Sequence, residues 1–172
     1  MHEVFINQIH LFKRVAVPRY LELQIQTIAL KHLGLPHMGQ LKDRMEGQLY
    51  YDKLKIDLLA EYAFEKIIGM KEFDWVKREN KNYKRKHYSI EGKSLQIITF
   101  IEKELPKQNQ ISCNNVVFAY VNPDNRVYIS GLFTKKVLSD LINNSKSTTR
   151  EIIDFGKFIN LQNFEELVFV ME

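Results

Sequence analysis

Basic and aromatic side chains are concentrated in one short stretch of the sequence, residues 76–88. The stretch carries six lysines and arginines against a single acid, Glu79, and Tyr83 and Tyr88 are interleaved with them. Cationic side chains neutralise backbone phosphates and release counterions, and aromatic rings stack on exposed bases. The stretch therefore predicts contact with nucleic acid, and the alternative interpretation is a solvated loop. The phosphate-binding candidates are Lys77, Arg78, Lys81, Lys84, Arg85 and Lys86.

Few other residues are spaced for catalysis or metal binding. His32 and His37 flank a short connector, but no third ligand follows at a spacing that suits zinc. Cys113 is the only cysteine, which excludes an intrachain disulfide and a thiolate metal cluster. The sequence also lacks a Walker-type phosphate loop, a dinucleotide-binding glycine pattern and a serine nucleophile elbow.

The elements that must position these residues are helical in the first half of the chain. Residues 3–17 predict a strand or an irregular arm that ends at Pro18. Residues 19–33 predict an amphipathic helix closed by a glycine. Residues 40–68 predict a long helix, with a break near Gly47 because glycine costs about 1 kcal/mol inside a helix.

The second half of the chain changes to strand patterns. Two hairpins are predicted over residues 88–101 and 116–132, with their turns at residues 91–93 and 122–125. Thr134 is interpreted as the N-cap of a further helix. The last elements are predicted as that helix, a short strand and a short helix, over residues 134–142, 151–159 and 162–168.

This order of elements predicts the fold class. Two helical segments precede several strands, which is typical of a mixed α+β protein and not of a doubly wound one. The sequence contains no linker that would separate two domains. We therefore expect one compact domain, in which an N-terminal arm and helix (residues 1–47) pack on an α/β core (residues 48–172).

Part of the chain carries a family resemblance. Residues 59–69 contain a helical Glu followed by Ala-Phe, residues 117–121 form an apolar strand, and the second hairpin ends in Gly131-Leu-Phe. With these motifs, residues 50–135 resemble the restriction-endonuclease-like, or PD-(D/E)-x-K, nucleases. The resemblance implies a central mixed sheet flanked by helices, with an N-terminal helical extension in this chain.

The resemblance also implies a chemistry. In this family, acids hold Mg²⁺, the metal lowers the pKa of a bound water, and a lysine orients the nucleophile or stabilises developing charge. Glu61 matches the helix acid and would be the metal ligand. The alternative for Glu61 is a surface position in an acidic stripe with Asp57 and Glu65, each one helical turn from the next.

The sequence departs from the family where the metal site should be. The strand that would read Glu-x-Lys has Gln96 in place of the acid and Ile98 in place of the lysine. Glutamine is a weak, neutral ligand for a hard cation, and isoleucine donates no hydrogen bond. This alignment predicts an inactive site that needs no cofactor.

A second register keeps the charged groups. Asp74 precedes Glu91-Gly92-Lys93 by 17 residues, which satisfies the bare Asp…Glu-x-Lys spacing. With Glu61, these residues would form the catalytic set of an active Mg²⁺-dependent endodeoxyribonuclease. The alternative is that Glu91-Gly92-Lys93 is simply a hairpin turn, where glycine supplies a positive φ and both charges face solvent.

The expected function is therefore nucleic-acid binding, of DNA rather than RNA, by a nuclease-like domain that has lost its metal site. Such a domain would act as a homodimer or beside an active nuclease partner. Two alternatives stay open. One is the active endonuclease, of restriction or phage-defence type, and the other is a protein-interaction module whose basic segment meets an acidic protein.

Composition narrows the broad class of protein. The chain has 172 residues, 45% of them hydrophobic, and a formal net charge of +4. This hydrophobic content is enough to fill a core and argues against disorder. The longest apolar run is far short of the roughly 20 residues that cross a membrane, and Glu3 stands where a signal peptide carries positive charge. We expect a cytoplasmic protein without a membrane partner.

Overall fold

The computed structural model of the chain describes residues 12–42, 45–90, 92–102 and 106–134. Its helices and strands follow each other as β1 (Lys13–Val15), α1 (Tyr20–Leu33), α2 (Met38–Lys42), α3 (Met45–Ile67), α4 (Trp75–Glu79), β2 (His87–Ile90), β3 (Lys93–Phe100), β4 (Asn115–Val121) and β5 (Val127–Thr134).

The strands of the described residues form one five-stranded sheet in the order β1-β5-β4-β3-β2. β3 and β4 run parallel, with Ile97 opposite Val117, and the other three neighbouring pairs are antiparallel. A sheet with both kinds of pairing, accompanied by helices, is a mixed α+β architecture. The predicted fold class is confirmed at this level.

Helix α1 forms where its periodicity predicts. Leu21, Ile25 and Ile28 recur at helical spacing and are buried, so that one face of the helix packs into the core. The helix ends at Gly34, whose φ of +64° is the left-handed conformation that glycine adopts without steric cost. Both features were predicted from the local sequence.

Helix α3 differs from its prediction at the N-terminal end. The stretch from residue 40 to residue 68 is divided near Gly47, as predicted, but the long helix begins at Met45, so that Gly47 lies inside it and is buried. Residues 38–42, predicted in part as a connector, form the separate short helix α2. The low helix propensity of glycine therefore does not end α3 at Gly47.

The helices cover one face of the sheet. Leu95 and Ile97 of β3 belong to the same buried cluster as Leu58 and Phe64 of α3. Side chains alternate along a strand, and Ile98, which follows Ile97, belongs to a second buried cluster on the other face. This cluster consists of Phe12, Ile98, Phe100, Val116, Phe118, Tyr120 and Phe133. The face of the sheet that meets α3 is the one that positions the candidate site.

Both predicted hairpins are confirmed. Gly92 has a φ of +75° at the first turn, and Asn125 has a φ of +59° at the second. Thr134, predicted as a helix N-cap, is the last residue of β5. The predictions for residues 3–11 and for the elements after Thr134 lie outside the described residues. In the part of the chain that is described, no helix is long and apolar enough to span a membrane.

Candidate nucleic-acid interface

The acidic stripe of α3 lies against the sheet and not in solvent. Asp57, Glu61 and Glu65 have 4%, 0% and 4% of their surface exposed. The alternative that placed Glu61 on the surface is therefore wrong. Because a buried carboxylate needs a cation or hydrogen-bond donors, the partners of these three acids decide what the site can do.

Arg78 is the partner of two of the acids. Its Nε lies 2.8 Å from an oxygen of Glu61, and its Nη2 donates to Glu65. Its Nη1 donates to the carbonyl oxygen of Asp74 at 2.9 Å, and its guanidinium lies 3.7 Å from the centre of the Phe73 ring. Arg78 is only 3% exposed. The prediction that Arg78 binds a phosphate is wrong, because its charge is used inside the protein.

Lys86 is the second internal cation. Its backbone N–H donates to the other oxygen of Glu61, and its Nζ lies 2.9 Å from Asp57. The same Nζ is 3.3 Å from the hydroxyl of Thr99 on β3. This arrangement holds Lys86 at a φ of +62°, a conformation uncommon for a residue with a side chain. Lys86 therefore ties the start of β2 to α3, and its charge is paired with Asp57 although a quarter of its side chain is exposed.

We call these five residues, Asp57, Glu61, Glu65, Arg78 and Lys86, the charge network. Burial raises the pKa of Glu61, although the positive charge of Arg78 opposes that shift. Burial alone would lower the pKa of Arg78, but the two glutamates outweigh it and raise the pKa further. Tyr88 donates to Glu65 at 3.0 Å. Arg78 thus stays charged while it is buried, which requires that its carboxylate partners remain beside it.

The remaining cations of residues 76–88 stay exposed. We call Lys77, Lys81, Lys84 and Arg85 the basic loop. Lys77, Lys81 and Lys84 are exposed and Arg85 is partly exposed. None of the four forms an ion pair with an acid of the described residues. The one acid within the stretch, Glu79, is paired with Lys31.

An aromatic ring lies among these cations. The Nζ of Lys77 is 5.0 Å from the centre of the Tyr83 ring, and the Arg78 guanidinium is 5.5 Å from it on the buried side. Burial and the nearby Glu61 carboxylate raise the pKa of Tyr83 to about 12, so its hydroxyl is neutral. The combination of uncompensated cations and a neutral ring is suited to a polyanion that carries stacked bases.

Two histidines beside the basic loop respond to its charge. Burial lowers the pKa of His32, and the charges of Arg85 and Lys81 lower it further. Burial, Lys84 and Lys86 lower the pKa of His87 in the same way. Burial is the larger cause of both pKa shifts, and the nearby cations add to it because they disfavour a second positive charge.

His32 links α1 to this region in one tautomer. Its Nε2 lies 3.0 Å from the carbonyl oxygen of Glu79, which can only accept, so Nε2 carries the proton. Its Nδ1 then accepts from the hydroxyl of Tyr50 at 2.8 Å. The neutral imidazole makes a hydrogen bond with each of its two partners, and a proton on Nδ1 would remove the bond that Nδ1 accepts from Tyr50.

This geometry predicts a loss of stability in mild acid. The pKa of His32 is below its usual 6.5 in the folded protein, so the unfolded chain binds the proton more readily. The free energy of unfolding should therefore fall as the pH drops below about 6.5. Urea denaturation at several pH values should give a flatter dependence for His32→Gln than for the unchanged chain. His37→Gln, at an exposed position, should keep the original slope, and an unchanged slope in His32→Gln would contradict the assignment.

The residues of the second catalytic register have other roles in the structure. Asp74 is the N-cap of α4 and accepts from the N–H of Lys77 at 2.9 Å. Lys93 is exposed and pairs with Ile90 at the start of β3. Glu91 lies outside the described residues. Among the described residues, no three or more histidine, cysteine, aspartate or glutamate side chains are grouped so as to hold a metal ion.

Gln96 and Ile98 face away from Glu61. Ile98 belongs to the cluster on the far face of the sheet. Gln96 accepts from the N–H of Ser112 at 2.8 Å and donates to the carbonyl of Gln110 at 2.8 Å. On the face of the sheet that meets α3, the residue of β3 that contacts the acidic stripe is Thr99, whose hydroxyl donates to Asp57 at 3.1 Å. Sequence reasoning missed Thr99, although strand alternation would have separated it from Ile98, and it considered Tyr88 for base stacking and not as the donor to Glu65.

None of the family models, curated proteins and solved structures compared with the chain matches it significantly.

Proposed function

We propose that this protein binds nucleic acid through the basic loop, on a restriction-endonuclease-like core that has lost its metal site. The observation that carries the proposal is the division of the cations of residues 76–88. Two are neutralised internally by the charge network, and four remain at the surface without an acidic partner among the described residues. A polyanion is the ligand that such a surface favours.

The anchoring of the loop supports a binding role over a merely solvated one. Arg78 attaches the N-terminal end of residues 79–85 to α3, and Lys86 attaches the C-terminal end. Lys81, Lys84 and Arg85 lie between these two attachments. A segment held at both ends loses less conformational entropy on binding than a free loop does. The three cations are thus presented on a supported turn of the chain.

The charge network also supports the absence of metal-dependent cleavage. One oxygen of Glu61 accepts from Arg78 Nε and the other from the N–H of Lys86. A cation at Glu61 would have to displace the guanidinium, which already supplies positive charge at that point. Arg78 therefore takes the place that Mg²⁺ has in a cleaving enzyme, and the protein would bind without cutting.

The proposal is tested by removing the loop cations that have no internal role. Changing Lys81, Lys84 and Arg85 together to alanine should raise the Kd for duplex DNA at least tenfold. Each lost phosphate contact lowers the slope of log K against log salt by about 0.9, so the slope should fall by up to about 2.7. Fluorescence anisotropy between about 50 and 200 mM salt gives both quantities. Lys86 is left intact because its loss would disturb the fold.

A charge-matched control separates specific contact from general electrostatics. Lys13, Lys53 and Lys107 are exposed and lie outside the loop, and their triple alanine variant should keep the Kd within about twofold, since single surface contacts matter little. An unchanged salt slope in the loop variant would overturn the proposal. Parallel titrations with single-stranded DNA, with RNA and with an acidic polypeptide identify the ligand class, and preference for the polypeptide would favour the interaction-module alternative.

A further inference from the structure

A concave site lies at the N-terminal end of α1, whereas the basic loop lies near the C-terminal end of that helix. It has a volume of about 410 Å³ and is formed where the connection from β1 to α1 meets α3 and the turn between β4 and β5. The C-terminal end of α1 contacts Glu79 through Lys31 and His32, whereas Arg19 and Glu22 at its N-terminal end line this cavity. The two basic surfaces are therefore separate.

The charged residues that line the cavity are unevenly paired. Four are basic (Arg14, Arg19, Lys55 and Arg126) and two are acidic (Glu22 and Asp124), which leaves a formal surplus of two positive charges. Lys55 and Glu22 pair with each other at 2.8 Å. The three arginines are exposed and form no ion pair with any described acid. Because arginine stays protonated, the cluster repels itself unless an anion enters.

Three different elements bring the arginines together. The register of β1 and β5 pairs Arg14 with Tyr128, only two residues from Arg126. The N–H of Arg126 is held by the side chain of Asn122 at 2.7 Å within the β4–β5 turn. Arg19 precedes the first turn of α1, where no side chain caps the helix. These positions are set by strand pairing, a bonded turn and a helix start, so the cluster is present before a ligand arrives.

The cavity continues into an apolar neighbour. A second concavity of about 370 Å³ shares Lys55, Leu59 and Asn125 with it. Its walls include the aliphatic side chains of Ile56, Ile101 and Val121, and two acids, Asp52 and Glu102, also line it. The combined site thus has an anion-binding end, where the positive surplus is located, beside a largely apolar end that also carries two acids.

We propose that this cavity binds a phosphomonoester carried on a nucleoside. The guanidinium group of an arginine can donate two hydrogen bonds to two oxygens of one phosphate. The surplus of two positive charges at this end of the site matches the two negative charges of a phosphomonoester. The apolar end would take the nucleoside, as ligand sites of this size combine apolar walls with a few polar groups. A free mononucleotide and the phosphorylated end of a nucleic-acid strand both supply this chemistry. The inference does not depend on the basic loop.

Calorimetric titration of the full chain tests the ligand class. Adenosine monophosphate should bind, adenosine should bind at least tenfold more weakly, and succinate should compete with neither. Equal binding of adenosine and its monophosphate, or equal binding of succinate, would overturn the proposal, as would no binding of the monophosphate.

Variants locate the site and distinguish the two sources. Arg19→Ala with Arg126→Ala should weaken binding of adenosine monophosphate at least tenfold, whereas Lys13→Ala with Lys53→Ala should leave it unchanged. The variant with Lys81, Lys84 and Arg85 changed to alanine should also bind the nucleotide normally, which separates this inference from the proposed function.

The same variant distinguishes the two sources of the phosphate. A short 5′-phosphorylated oligonucleotide that binds to it more tightly than the unphosphorylated form identifies a strand end as the ligand. Equal oligonucleotide affinities identify the free nucleotide. An unchanged nucleotide affinity in the double arginine variant would refute the site.

Discussion

Replacing Arg78 with methionine is expected to lower the free energy of unfolding by about 3–5 kcal/mol, the usual cost of breaking a buried ion pair from one side. The substitution leaves Glu61 and Glu65 buried beside each other without their cation. It also removes the donor to the carbonyl oxygen of Asp74. Chemical denaturation at neutral pH measures the loss directly.

Two further variants give this prediction its control and its rescue. Lys77→Met removes the same charge from an exposed neighbouring position of α4 and should change stability by no more than about 0.5 kcal/mol. Combining Arg78→Met with Glu61→Gln and Glu65→Gln removes these three buried charges together, leaves the Asp57–Lys86 pair intact, and should recover much of the lost stability, because the cost comes from unpaired charge. If Arg78→Met proves as mild as Lys77→Met, the charge network does not hold the loop.

Replacing Glu61 with alanine is expected to act on stability and not on cleavage. The change leaves Arg78 with one carboxylate partner and leaves the N–H of Lys86 without its acceptor. We expect a loss of about 3 kcal/mol, which corresponds to a decrease in Tm of roughly 6–12 °C for a chain of this size. The same preparations, incubated with supercoiled plasmid and Mg²⁺ or Mn²⁺, should produce no nicking above buffer, with or without the substitution.

This pair of measurements separates the two roles of Glu61. Glu46→Ala removes an exposed glutamate from the same helix and should shift Tm by no more than about 2 °C, as surface substitutions do. Metal-dependent nicking by the unchanged chain that disappears in Glu61→Ala, without a matching decrease in Tm, would establish the active endonuclease instead. A decrease in Tm without any nicking in the unchanged chain fits the structural role that the hydrogen bonds of Glu61 indicate.

The two predictions bear on the proposed binding of nucleic acid through the same contacts. Arg78 and Glu61 are not placed to touch nucleic acid, since both are buried. They act by fixing the ends of the segment that carries Lys81, Lys84 and Arg85. A folded variant with a weakened network should therefore lose affinity through loop disorder, while its number of exposed cations is unchanged.

The sequence by itself determined the elements of this protein whose causes are local. Helical spacing of Leu21, Ile25 and Ile28 predicted α1, and Gly34 predicted its end. Turn residues at 91–93 and 122–125 predicted both hairpins, because φ preferences and strand alternation depend on near neighbours. Helical spacing likewise showed that Asp57, Glu61 and Glu65 share one face.

Only the tertiary structure decided what that face meets. Arg78 is 17 residues from Glu61, and Lys86 is 25 residues from it, so no helical or strand periodicity relates them. Strand alternation puts Gln96 and Ile98 on the same face of β3, but only the packing of α3 on the sheet showed that Glu61 lies on the other face. Whether a charge is paired or exposed depends on which distant segment covers it, and that is settled when the core forms rather than by neighbours in sequence.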